Sequence, residues 1–185
     1  VLELRRLLAA QPQPASFIMT VNAGFMPQEH WTQDPTVGGG RIIGEACHFV
    51  DLMRFLAASP ISAVTASALG IKRGGVADNV TATISFANGA MATIHYLANG
   101  NRRYPKERLQ VFCGGSVIEL DNFRDMRGYG WTGFRRMRLL RQDKGNRACV
   151  EAFVATLEAA GPTPIPFDEI MEVHEVTYQI AAAVT

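Results

Sequence analysis

Glu45, His48 and Asp51 stand three residues apart in the segment Gly-Glu-Ala-Cys-His-Phe-Val-Asp, and these side chains are the best equipped for chemistry in the chain. One chemistry open to an E-x-x-H pair is metal ligation, because the spacing puts both ligands on one helix face. Di-iron carboxylate bundles need two such motifs and further carboxylates. A single copy occurs here, so no metal centre is expected. The other chemistry is acid–base work, in which a histidine takes or gives a proton near neutral pH. With Glu45 as zero and about 100° per residue, apolar positions 42, 43, 46, 49, 50, 53 and 56 span about 20° to 160°, while His48 and Asp51 fall near −60° and −120°. His48 therefore faces away from the core stripe, and Gly44, one turn above it, leaves space for a ligand. Gly38, Gly39 and Gly40 precede the helix, let a backbone approach closely, and offer N–H groups at a helix start. A solvated helix face with a flexible lead-in fits the same residues, and the pattern alone leaves both readings open.

Gly128-Tyr-Gly130-Trp-Thr-Gly133 spells the dinucleotide-binding pattern, which works only after a buried strand and at the opening of a helix. Here mostly polar residues precede it, and the Phe-Arg-Arg-Met-Arg-Leu-Leu-Arg that follows has no helical apolar face. A flexible surface loop is expected instead. The net charge is +1, from 18 Lys and Arg against 17 Asp and Glu. Between Arg102 and Arg147, however, twelve cations face five acids, so that this stretch carries about +7 and the remainder about −6. An anionic small ligand suits such a stretch. Phe123, Tyr129, Trp131 and Phe134 are interspersed in it without a recognition module, so nucleic acid is not an expected partner.

The elements that must position these groups follow from periodicity and punctuation. Val1–Ala10 reads as the end of a helix begun earlier, broken by Gln-Pro-Gln-Pro, which suggests a piece of a longer protein with a linker helix ending near residue 12. Ser16–Asn22 has strand composition, 23–40 reads as a long loop of the functional kind, and Ile42–Ala57 has helical spacing that stops at Ser59-Pro60. Ala63–Leu69 alternates as a strand. Asn79–Ala98 reads as two strands joined at Asn88-Gly89, a dipeptide that suits a type I′ turn. A second hairpin is expected over Arg108–Leu120 around Gly114-Gly115, an edge strand at Met137–Arg141, and two closing helices, Arg147–Ala160 and one capped by Asp168 that runs to about Val184. Hairpins with helices grouped around them mean an α+β fold with an open, mostly antiparallel sheet and helices on one face, as a single domain over residues 1–185. Three cysteines, Cys47, Cys113 and Cys149, form no disulfide or zinc pattern, and no apolar run is long enough for a membrane span or a signal peptide. A cytoplasmic protein without a membrane partner is expected.

His30-Trp-Thr-Gln-Asp34 followed by Gly38-Gly-Gly-Arg-Ile-Ile-Gly-Glu-Ala-Cys-His48-Phe-Val-Asp51 resembles the C-terminal domain of the glucose-fructose oxidoreductase / inositol dehydrogenase (Gfo/Idh/MocA) family. The order of strands, the Asp78-Asn79 hairpin, the Lys106-Glu107 strand and the two closing helices extend the likeness over nearly the whole chain. The resemblance implies a substrate-binding and oligomerisation domain of an oxidoreductase that uses NAD or NADP and acts on a sugar, polyol or nucleotide-sugar hydroxyl. The cofactor would sit mainly on a Rossmann domain absent from this chain, which would be inactive alone. It places His48 on the family's catalytic histidine with Glu45 beside it, Lys106, Arg41 and Asp51 on the substrate, and Gly38, Gly39 and Gly40 next to the cofactor. It also implies a homo-oligomer formed through the sheet. The sequence departs from the pattern at Gly44, where the family has Asp, and Glu45 can stand in only if the helix start is distorted. A second departure is Asn146, where histidine is common. The rival reading is a stand-alone ligand-binding or assembly module without catalysis.

Overall fold

The computed structural model describes residues 1–70 and 77–184. A short helix, α1 (Leu2–Ala9), leads into β1 (Ser16–Asn22); the loop that follows contains one 3₁₀ turn at Trp31–Gln33. The chain then forms α2 (Cys47–Ala57), β2 (Ile61–Ala68), β3 (Asn79–Phe86), β4 (Met91–Leu97), β5 (Glu107–Cys113), β6 (Ser116–Asp121), β7 (Asp125–Tyr129) and β8 (Arg136–Arg138), and closes with α3 (Asn146–Glu158) and α4 (Phe167–Ala183). The eight strands make one sheet in the order β2-β3-β4-β1-β5-β6-β7-β8. Every pair is antiparallel except β1 with β4, so the expected α+β fold with an open sheet holds.

Alternation along the strands separates two faces. Phe17, Met19 and Val21 of β1, Ile84 of β3, Tyr96 of β4, Val111 of β5 and Ile118 of β6 point into one core with Leu4 of α1, Val50 and Met53 of α2 and Ile180 of α4. On the other face no helix packs among the described residues, and Thr65, Thr81, Thr83, Thr93 and Thr20 give way to Arg108, Glu119, Asp121 and Arg127 toward β8. The third helix contributes nothing to the core: Val150, Phe153, Val154 and Leu157 form a stripe on α3 that is exposed, Leu157 by 65%.

The turn expected at Asn88-Gly89 takes a different form. At Asn88-Gly89 only Gly89 has positive φ, +84°, and Gly89 N–H donates to Phe86 O while Phe86 N–H donates to Ala90 O. That is a type I turn closed by a glycine bulge, because Asn88 is committed elsewhere: its side chain accepts from Ala90 N–H and donates to Ala57 O at the end of α2. The two-positive-φ turn instead joins β5 to β6, at Gly114 (+55°) and Gly115 (+79°). Asp168 is not the cap of the last helix: Pro166 precedes it and Asp168 lies in the first turn. The edge strand runs over Arg136–Arg138, earlier than expected. The expected surface loop at Gly128 is wrong at its start, since Gly128 belongs to β7, where a Cβ would come within 2.7 Å of Phe134, and Trp131 and Phe134 are buried. Gly128 and Gly130 serve the domain's own packing; a Cβ on the second would stand 3.2 Å from Gly115 O. None of the three cysteines is paired, and no helix among the described residues is long and apolar enough to cross a membrane.

Candidate functional site

The helix expected over Ile42–Ala57 opens with one π-helical turn, Ile42–Ala46, before α2 begins. Widened turns of this kind are uncommon and recur at functional sites. They also re-aim side chains, and this one turns Glu45 toward the ends of β4 and β5. Its Oε2 accepts from the Tyr96 hydroxyl at 2.5 Å and from Arg41 Nη2 at 3.0 Å, and its Oε1 accepts from Lys106 Nζ at 2.9 Å. Burial opposes ionisation of Glu45, but these three donors outweigh it and hold the carboxyl at about 2. Tyr96 moves the other way: burial, and the carboxylate that accepts its proton, raise it well above the ordinary value.

Behind the glutamate, Arg41 is only 5% exposed. Its guanidinium donates to Gly24 O at 2.7 Å and Ala23 O at 3.1 Å and stacks over the Tyr96 ring at 5.3 Å. Three of the five N–H donors of Arg41 are thus engaged by the chain itself, two by carbonyls of the long loop and one by Glu45. Lys106, 48% exposed, stands in front. It precedes β5, and its carbonyl accepts from Asn22 N–H at 2.7 Å, which fixes the backbone beneath it. The carboxylate thus lies between a buried cation and an exposed one.

His48 is exposed in the first turn of α2, two residues beyond the distortion. Among the described residues no hydrogen bond or ion pair joins it to Glu45. Its electrostatic neighbour is Asp51, whose carboxyl is pushed up by partial desolvation, with His48 pulling it down. A Cβ at Gly44 would meet no heavy atom within 4 Å, so the space expected beside His48 is open. The three glycines are explained by their own loop. Gly38 passes so near Trp31 and Thr32 that a Cβ would stand 2.5 Å from them, and Gly39 and Gly40 have φ of +65° and +89°. Gly38 and Gly39 N–H both donate to Asp34 O, which uses up two of the expected free donors. Among the described residues no cluster of His, Cys, Asp and Glu could hold a metal ion.

Tyr96 went unforeseen. Its position in Met-Ala-Thr-Ile-His-Tyr-Leu reads as a core residue of an alternating strand, and only the register that sets it beside Val21 and Val80 brings its hydroxyl under Glu45. Asp78, buried and accepting from Gln33 Nε2 at 3.3 Å, ties the long loop to the same end of the sheet.

The family model for the GFO/IDH/MocA C-terminal domain matches residues 6–119, which include every residue of this site. The chain belongs to the Gfo/Idh/MocA oxidoreductase family. Solved structures of family enzymes share the fold. The UDP-N-acetylglucosamine 3-dehydrogenase from Acidithiobacillus ferrooxidans superposes with a TM-score of 0.72 at 19% identity, over 98% of this chain and 59% of that one. The aldose-aldose oxidoreductase from Caulobacter crescentus, solved with glycerol, gives 0.78 at 18% identity, over 98% and 57%. A levoglucosan dehydrogenase solved with NADH gives 0.76 at 17% identity, over 97% and 59%. The chain therefore spans a little under three fifths of each of these structures' length. No curated protein matches it in sequence.

Proposed function

We propose that this Gfo/Idh/MocA domain supplies the substrate side of an NAD(P)-dependent oxidoreductase that acts on a hydroxyl of a sugar, polyol or nucleotide sugar. The observation that carries the proposal is the Lys106–Glu45 pair next to Gly44, where a Cβ would meet nothing within 4 Å, with His48 exposed three residues after Glu45. His48 moves the proton of the reacting hydroxyl, with Asp51 as its electrostatic partner. Lys106 holds a neighbouring hydroxyl or phosphate. Glu45, saturated by three donors, works as the fixed anion that aims Lys106, and Arg41 and Tyr96 hold Glu45 in place.

The chain's own residues do not fit a dinucleotide: its one G-x-G-x-x-G run sits on β7 and the loop after it, with Trp131 and Phe134 packed over the core. A nicotinamide held on a separate Rossmann domain would accept or give the hydride, and Gly38–Gly40 would lie beside it. Exposed Phe25, Trp31 and Val37 on the long loop, at 62–69%, and the uncovered stripe of α3 support the presence of further protein over this domain, which alone would be inactive. The helix-free sheet face suits a homo-oligomer, and a cytoplasmic location agrees with three unpaired cysteines. The test is dehydrogenase turnover of the full-length protein with a panel of sugars and nucleotide sugars. His48→Ala lowers kcat by a factor on the order of 10² or more if His48 is the acid–base group; an unchanged kcat removes it from that role.

A further inference from the structure

We propose that β2 is an assembly edge, at which two copies of this chain join their sheets antiparallel about a two-fold axis. The two ends of the sheet are built differently. At one end β8 has three residues, Arg-Met-Arg, the short charged edge that discourages further strands. At the other, β2 runs for eight residues, Ile-Ser-Ala-Val-Thr-Ala-Ser-Ala, with neither charge nor proline.

The hydrogen-bond parity of β2 says which groups are free. Leu69 N–H donates to Asn79 O at 2.9 Å, and the pairs Ser67/Thr81 and Thr65/Thr83 share that parity, so odd residues bond to β3. The N–H and C=O groups of Val64, Ala66 and Ala68 then point away from the sheet, and among the described residues nothing pairs with them. A two-fold axis that keeps both helical layers on one side must oppose residues of equal parity. Centred on Ala66, it sets Val64 of each copy against Ala68 of the other and forms about six main-chain hydrogen bonds. No side chain obstructs it: Ala63, Thr65 and Ser67 lie on the helix-free face, and Val64, Ala66 and Ala68 are half-buried on the other.

Independently, α4 presents an apolar flank over the same edge. It packs on β2, whereas α2 packs further in, on β4. Arg54 of α2 pairs with Glu172 at 2.7 Å and with Glu169 at 3.5 Å, which marks the inward flank of α4. With buried Val173 as zero, Glu169 and Glu172 lie near −40° and −100°, while Ile170, His174, Phe167, Tyr178 and Met171 run from about 60° to 160°, the outward flank. Phe167, Met171 and Tyr178 are 71%, 51% and 55% exposed. A strand pair alone falls short of the ~800 Å² per partner of a stable interface, and this flank, set against its own copy, supplies the remaining area. Glu175, near −160°, stays on the solvent side, so the acids of the two copies do not meet. A second copy is the fitting occupant because the contact is self-complementary: an uncharged strand against itself and one helix flank, apolar but for His174 at its middle, against itself. The edge is separate from the helix-free face, and the use of both would give a tetramer with crossed two-folds.

Three variants of the full-length protein test the edge by sedimentation velocity and thermal unfolding. Ala66→Pro deletes an outward N–H and leaves the ladder to β3 intact. Met171→Lys with Tyr178→Lys puts like charges across the axis at two exposed positions. Both are expected to halve the assembly mass, and the lysine pair to leave Tm within about 3 °C of the parent. In a Cys149→Ser background, Ala66→Cys is expected to form a disulfide-linked dimer on oxidation, since paired Cα atoms stand about 5.5 Å apart. A monomeric parent, an unchanged mass in the lysine variant, or the lack of that cross-link overturns the proposal. A lower Tm at constant mass in the lysine variant also overturns it, because another segment of the same chain then covers the flank. These outcomes leave turnover unaffected and so are separable from the fate of the proposed enzymatic role.

Discussion

Two carboxylates in this domain are held at about the same low pKa by different means. Glu45 is held at about 2 against burial, by Tyr96, Lys106 and Arg41. Asp125, on β7, is also held at about 2, first by Arg136, which donates at 2.6 and 3.0 Å, and then by Arg127 at 3.4 Å. Those two arginines are about half exposed, at 48% and 49%, whereas Arg41 is 5% exposed. A shared ionisation state therefore hides different consequences. Water can replace Asp125 as a partner for its arginines, but it cannot reach Arg41. Exposed pairs contribute about 0–1 kcal/mol, whereas a buried ion stripped of its partner costs about 3–5 kcal/mol.

The most severe break is Glu45→Ala, which leaves Arg41 buried with carbonyls alone. At about 3–5 kcal/mol, and about 2–4 °C per kcal/mol for a domain of this size, Tm falls by roughly 6–20 °C in a thermal scan. A fall of only a degree or two would mean that Arg41 is solvated after all, and the contrast would collapse. Acid titration gives the intermediate effect. Because folding lowers Glu45 from 4.5 to about 2, the folded state binds fewer protons than the unfolded one between those values. The stabilisation is complete above about pH 4.5 and is lost as pH falls toward 2; the full shift corresponds to about 3–4 kcal/mol, which solvent screening of the partly exposed carboxylate lowers to the order of 2–3 kcal/mol. Denaturant titrations at stepped pH are expected to show a flattened acid limb in Glu45→Gln at both low and high salt. Asp125 shares that pH window, but its contribution is screened, so Asp125→Asn flattens the limb at low salt only. The smallest effect is Asp125→Asn at neutral pH, where Tm moves by about 3 °C or less. A larger drop would show that the arginines of β7 and β8 depend on it as Arg41 depends on Glu45.

Much of the fold was legible in the residues. Ser16–Asn22 forms a strand with those bounds, the hairpin at Gly114-Gly115 forms where two glycines permit positive φ, and the closing helices lie within a few residues of their expected limits. β7 escaped notice because Asp-Met-Arg-Gly-Tyr offers a single buried side chain, Met126, and pairs through its backbone. At the site, the segment from Gly38 to Asp51 could be recognised by type and spacing. The partners of its charges could not, because Arg41 and Tyr96 are 55 residues apart in a chain whose register is set by strand pairing.

By itself the sequence determined which residues alternate, which turns can close and which helix face is apolar, since each of these depends on neighbours a few positions away. It also carried the segment that marks the Gfo/Idh/MocA family. Only the tertiary structure decided that Gly38–Gly40 shape their own loop and that Arg41 lies behind Glu45. It alone set Lys106 in front, because the widened first turn and the meeting of β1, β4 and β5 determine where a carboxylate points. Direction and burial are properties of packing, and packing is decided by contacts between residues far apart in the chain.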